Sequence, residues 1–140
     1  MANPKIIVIS PDRHQTGKMV ACLQDAGYQV ASSEMVVGDL VDLCHLSPDL
    51  LLLEWQLPDP DALNLVRSIR QDACLRRLPV IVMGAGIREE DALHALDVGA
   101  DQCWREPFNP PVLVARLRAF LRRGDANGDR LQCIDVQPGV

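Results

Sequence analysis

The sequence has no apolar run long enough to cross a bilayer, and its amino terminus, MANPKIIVIS, lacks a stretch of signal-peptide length. A soluble, cytoplasmic protein is expected, with no membrane partner. Basic residues are not in excess. The formal net charge is −5 and the pI about 5.0, so this chain offers no surface for nucleic-acid phosphates, and any DNA contact has to come from another domain. Five cysteines (Cys22, Cys44, Cys74, Cys103, Cys133) form an odd set without a Cys-x-x-Cys pair, each in an apolar or helical setting, which reads as reduced core thiols. Glycine-rich phosphate loops, nucleophile elbows and zinc-ligand spacings are also missing, which argues against an enzyme. His14, His45 and His94 are scattered over expected helices without ligand spacing, so no metal site is expected from them.

What is present is organised around Leu50–Pro58, LLLLEWQLP. Four consecutive leucines after Pro48-Asp49 read as a central strand buried on both faces, with Glu54 at its carboxyl end. In an open parallel sheet, ligands and chemistry collect at that edge. The rest of the chain alternates in the same way. Lys5–Ser10 is a β-branched strand. A helix carrying Met19, Val20, Leu23 and Ala26 follows and stops at Gly27, and Tyr28–Ala31 is a second strand. A short helix over 38–45 ends before Ser47-Pro48. Asp61 caps a helix that turns Leu63, Leu65, Val66 and Ile69 inward and Arg67 and Arg70 outward. Pro79–Met83 is a fourth buried strand, Arg88–Val98 a helix closed by Gly99, Asp101–Arg105 a fifth strand, and Pro110–Arg123 a last helix with a basic end. Such alternation with short connections implies a parallel sheet with helices on both faces. Polar GDANGD, 124–129, reads as a linker, and LQCIDV after it alternates like an edge strand with no partner among the five.

Three motifs, SPDLLLLEWQLPDPDALNLVRSIR, LPVIVMGA and GADQCWREPFNPPVLVARLRAFLRR, resemble the receiver domain of two-component response regulators, and the last is most similar to the winged-helix, OmpR-type branch. The resemblance covers Lys5 to Arg123. It implies a flavodoxin-like, CheY-like α/β fold, a doubly wound five-stranded parallel sheet in the order 2-1-3-4-5. It also implies a receiver-like domain over 1–123, a linker over 124–129, and the start of a winged-helix DNA-binding domain over 130–140.

Against the family pattern the chemical site is altered throughout. Glu54 stands at the phosphoacceptor position, and Ser10 and Pro11 stand where an acid pair holds Mg²⁺, with Asp12 one place beyond. Gly84 replaces the hydroxyl residue that reads the phosphoryl group, Cys103 the aromatic switch residue, and Glu106 the lysine before the cis-proline, here Pro107. Phosphoryl transfer depends on positioning and charge neutralisation, so a pseudo-receiver that binds no Mg²⁺ and takes no phosphate is expected. Glu54 as a standing mimic of phospho-aspartate would lack the hydroxyl and ammonium that read the charge. Glu54 and Glu106 should share the pocket, raising one carboxyl pKa, with Arg13 the expected cation. Trp55 and Trp104 read as packing residues. The resemblance further implies self-association through helix four, strand five and helix five. On that face Asp101 and Arg116 match ion-pair positions, and Ala92, Gln102 and Val112 replace charges with less polar groups. The expected role is the regulatory, dimerising half of a transcriptional regulator, with a histidine kinase or another signalling protein as partner. A stand-alone interaction adaptor and a Mg²⁺-dependent phosphoacceptor are the alternatives.

Overall fold

The computed structural model describes residues 3–33, 40–56, 62–106, 109–123 and 134–135. Its elements are β1 (Lys5–Ile9), α1 (Arg13–Asp25), β2 (Gln29–Ser33), α2 (Leu40–His45), β3 (Leu50–Glu54) and α3 (Ala62–Gln71), followed by β4 (Val80–Gly84), α4 (Glu89–Val98), β5 (Gln102–Arg105), α5 (Pro110–Arg123) and β6 (Ile134–Asp135). Every strand pair is parallel, and the order is β2-β1-β3-β4-β5-β6. The expected 2-1-3-4-5 sheet is present. Ile134–Asp135, read from the sequence as a strand without a partner, adds to the outer edge of β5, with Trp104 opposite Ile134 and Arg105 opposite Asp135.

Alternation along the buried strands divides the core into two layers. Ile7, Ile9, Leu51, Leu53, Val80 and Val82 face α3 through Ala62, Leu65, Val66 and Ile69, with Leu40, Leu43 and Cys44 of α2 packed at the margin. Ile6, Val8, Leu50, Leu52, Ile81 and Met83 face Met19 and Leu23 of α1 and Leu113, Val114 and Leu117 of α5. All four leucines of β3 are sealed from water, each contributing roughly 1.5–3 kcal/mol by burial. A strand covered on both faces needs no polar side, and this is why the run is uninterrupted up to Glu54.

Three expectations are corrected. Cys44 and Cys74 are not reduced core thiols: they form a disulfide with Cα atoms 6.3 Å apart, joining the end of α2 to the turn after α3, and Cys74 is exposed. Among the described residues, Cys22 and Cys103 take no part in a disulfide. Arg70, read as an outward helix position, folds back instead. Its Nε donates to Gly99 O at 2.9 Å, its Nη1 to Arg76 O at 3.1 Å and Leu78 O at 2.6 Å, and its Nη2 to Asp101 Oδ2 at 2.9 Å. Ala92 and Gln102 lie inside, at 2% and 7% exposure, so neither makes the outer face more apolar. Ala92 packs on Ile87 and Cys103, and Gln102 Oε1 accepts the Trp104 indole N–H at 2.7 Å, satisfying the polar group of a buried ring.

Candidate functional site

The carboxyl ends of β1, β3, β4 and β5 converge on one pocket because the strands are parallel and in register: Ile9 lies beside Leu53, Glu54 beside Met83, and Gly84 beside Arg105. Ser10, the residue after β1, is buried, and its Oγ accepts the Asp12 N–H at 3.3 Å, opening the turn into α1. Thr16 Oγ1 donates to Asp12 O at 2.6 Å and fastens the first turn of that helix. Pro11 is exposed and brings no side-chain ligand.

Glu54 is a buried acid, 7% exposed, at the end of the leucine strand. Glu106 reaches the same place from the end of β5, where its N–H donates to Gly84 O at 2.9 Å. The two carboxyl groups hydrogen bond to each other. Burial first, and then the negative charge and hydrogen bond of Glu106, push the Glu54 pKa up to about 8, against the opposing pull of the Gln56 and Trp55 N–H groups. Glu54 therefore keeps its proton at neutral pH. Glu106 Oε2 is also buried and has no hydrogen-bond partner among the described residues. The convergence of Glu54 and Glu106 expected from the sequence is thus in place. The side chain of Arg13 lies outside the described residues, as does Pro107 with its expected cis bond.

Gly84 makes room for this acid. A Cβ at position 84 would stand 2.7 Å from Glu54 Oε2 and 2.9 Å from Trp55 Cβ, closer than atoms approach. Trp55 is half-buried and packs on Ile87, Ala92 and Cys103, so Cys103, sealed at 0% exposure, is the floor of an apolar cluster. Trp104 lies on the other side of the sheet, among Met83, Leu113 and Leu117.

A hard dication such as Mg²⁺ requires anionic oxygens in near-octahedral array. A buried Glu54 that holds its proton, a hydroxyl already accepting a backbone N–H and a proline do not fit that requirement. Among the described residues no group of three His, Cys, Asp or Glu side chains is placed to hold a metal.

On the outer face, Arg116 is exposed and Val112 is half-buried against the α5 side of the core. Asp101 is engaged within the chain: it holds Arg70 and also accepts the Val80 N–H at 2.8 Å. Sequence reasoning missed that use of Asp101, and the disulfide with it. No described helix is long and apolar enough to cross a membrane.

A parallel sheet in this order, with an acid at the end of its third strand, is the arrangement of a receiver domain. The sequence profile of the response regulator receiver domain matches residues 6–118, and the chain belongs to that family. It is 36% identical over 120 residues to the phosphate regulon transcriptional regulatory protein PhoB of Pseudomonas aeruginosa, which covers 85% of this chain and 52% of that protein. To the KDP operon transcriptional regulatory protein KdpE of Escherichia coli it is 33% identical over 121 residues, covering 86% of this chain and 52% of the relative. The chain thus spans about half the length of these relatives. Among solved structures, a two-component response regulator from Clostridium difficile superposes with a TM-score of 0.80 at 26% identity, covering 89% of this chain and all of the other. The chemotaxis response regulator CheY4 of Vibrio cholerae shares the fold, with a TM-score of 0.76 at 20% identity over 84% of this chain and 98% of that one.

Proposed function

We propose that this receiver domain works without phosphorylation, Mg²⁺ or catalysis of its own, as the regulatory and self-associating half of a transcriptional regulator. The observation that carries the reading is the meeting of Glu54 and Glu106 at the strand ends, where burial and the neighbouring Glu106 keep Glu54 protonated. A carboxyl held neutral is a poor nucleophile, and it does not imitate a phosphorylated acid either. Gly84 offers no hydroxyl and Glu106 no ammonium to stabilise a transferred phosphoryl group. The transcriptional role is supported by the relatives, which are transcriptional regulatory proteins about twice as long as the segment matched; DNA would be contacted through a domain following this one. With the chemical switch gone, output is set by the amount of protein or by a signalling partner such as a histidine kinase, and pairing runs through α4, β5 and α5.

The test is incubation with acetyl phosphate and Mg²⁺, then with beryllofluoride, followed by intact mass and Trp fluorescence, since Trp55 borders the pocket. Unchanged mass and unchanged emission are expected. A stoichiometric phosphoryl adduct on Glu54 sinks the reading.

A further inference from the structure

α2 is weakly seated. Among the described residues none of its six is buried, Val41 is 54% exposed, and Leu40, Leu43 and Cys44 lean on the core from its margin. Among the described residues its carboxyl end is linked by Lys5 Nζ, which donates to Leu46 O at 2.9 Å, and by Cys44, bonded to Cys74 across 30 residues of chain. The Cys74 end is firm. Asp72 Oδ1 accepts the N–H groups of Cys74 at 2.8 Å and Leu75 at 3.1 Å, Leu75 and Leu78 are buried, and Arg70 binds the Arg76 and Leu78 carbonyls of the same turn. The disulfide thus ties a loosely packed helix to a rigid post. Its Cα separation lies within the ordinary range for disulfides, so the cysteines can pair without moving the backbone. Cys74 is exposed, which opens one sulfur to attack from solvent, whereas Cys103 is sealed at 0% exposure. Cys22 is half-buried, with its thiol pushed up by burial and by Asp25, so it competes poorly for exchange.

We propose that Cys44–Cys74 is a reversible redox staple that sets how firmly α2 is held to the sheet, answering to low-molecular-weight thiols and disulfides. A small thiolate attacks Cys74 Sγ and breaks the S–S bond, and the Cys44 thiolate released takes up a proton. A second small thiolate then attacks the sulfur of the first and displaces the Cys74 thiolate, which takes up a proton, giving two protein thiols and one small disulfide. Two electrons pass from the small thiols to the protein bond, and a small-molecule disulfide reverses every step. The staple is independent of the acid pocket, so it operates whether or not the domain takes phosphate.

The full chain is equilibrated in graded mixtures of reduced and oxidised glutathione, quenched by alkylation and peptide-mapped, with amide hydrogen exchange measured in parallel. Cys44 and Cys74 are expected to change state together in the folded chain. Amides of 40–46 should exchange on the order of tenfold faster when the bond is open, while β3 and β4 stay protected. Cys44→Ser should show the faster α2 exchange at every glutathione ratio. The proposal is overturned by a bond that glutathione opens only in denaturant, by no bond in oxidised glutathione, or by a disulfide-linked dimer on a non-reducing gel. Equal α2 exchange in both states overturns it as well, as does loss of β3 and β4 protection in Cys44→Ser, which would make the bond a requirement of the fold.

Discussion

Glu54 and Gly84 are fitted to each other: the Glu54 carboxyl occupies the space that a side chain at position 84 would need, with Oε2 2.7 Å from where its Cβ would stand. The residues at these two positions of β3 and β4 are therefore coupled sterically.

Gly84→Ser places a hydroxyl at the end of β4 and should destabilise the fold by about 1–3 kcal/mol, because the displaced acid and Trp55 have to shift. In a Glu54→Ala background most of that cost should vanish. Urea unfolding of the two single variants and the double variant reads the coupling, and additive losses would show that the two positions do not compete for space.

The pH dependence follows from Glu54. Its pKa is raised from 4.5 to about 8 on folding, so between those values the folded state binds more protons than the unfolded state. Stability contributed by this group is therefore complete below about pH 4.5 and is lost as pH rises through about 8, with a slope of at most about 1.4 kcal/mol per pH unit. Glu54→Gln keeps the shape, can donate a hydrogen bond to Glu106 and carries no titrating proton. It should flatten this part of the profile and be more stable than the parent at alkaline pH; thermal unfolding across the range tests it.

Arg70 holds Asp101, Gly99 and the turn before β4 together, and both members of its ion pair are mostly buried, at 18% and 22% side-chain exposure. Arg70→Ala should cost about 3 kcal/mol by stranding Asp101. Arg70→Lys should recover only part of this, since an ammonium cannot span the same acceptors as a planar guanidinium. Gly99 belongs to the same arrangement: at φ 127°, a Cβ there would lie 2.6 Å from Arg70 Cγ, so Gly99→Ala should be destabilising too. Chemical denaturation provides the comparison.

Self-association should appear in sedimentation at micromolar concentration without any phosphoryl donor. Arg116→Glu, at an exposed position, should weaken it while leaving the melting temperature nearly unchanged. Val112→Asp should weaken it and also lower stability, because Val112 packs partly on the core. A fragment that stays monomeric at every concentration removes the basis for pairing through this face.

Much of the fold was legible because β1, β3 and β4 are apolar runs covered on both sides, and burial leaves few other readings for LLLL or VIVM. The acid pocket was legible through the family resemblance, which assigns Glu54 and Glu106 to the same edge of the sheet. What escaped depended on side-chain reach or on chain path. Helical periodicity fixes the direction of the Arg70 Cβ, but the long stem carries the guanidinium back over Gly99 to Asp101. Ala92 and Gln102 occupy positions that the family resemblance places on a contact face, yet small size and an indole partner draw them inside. Cys44 and Cys74 are separated by a strand and a helix, and nothing in their spacing shows that α2 and the turn after α3 lie side by side. The pairing of Ile134–Asp135 depends on where the chain returns after α5, and a two-residue strand has no periodicity of its own.

That short pairing bears on where the domain can be cut. With Ile134–Asp135 in place, Trp104 and Arg105 of β5 have a neighbouring strand. A truncation after Arg123, where the helix pattern ends, leaves that margin of the sheet unpaired and able to accept an extended segment from any other molecule. A fragment ending beyond Asp135 keeps its outer strand partnered and should stay dispersed at concentrations where the shorter one becomes turbid.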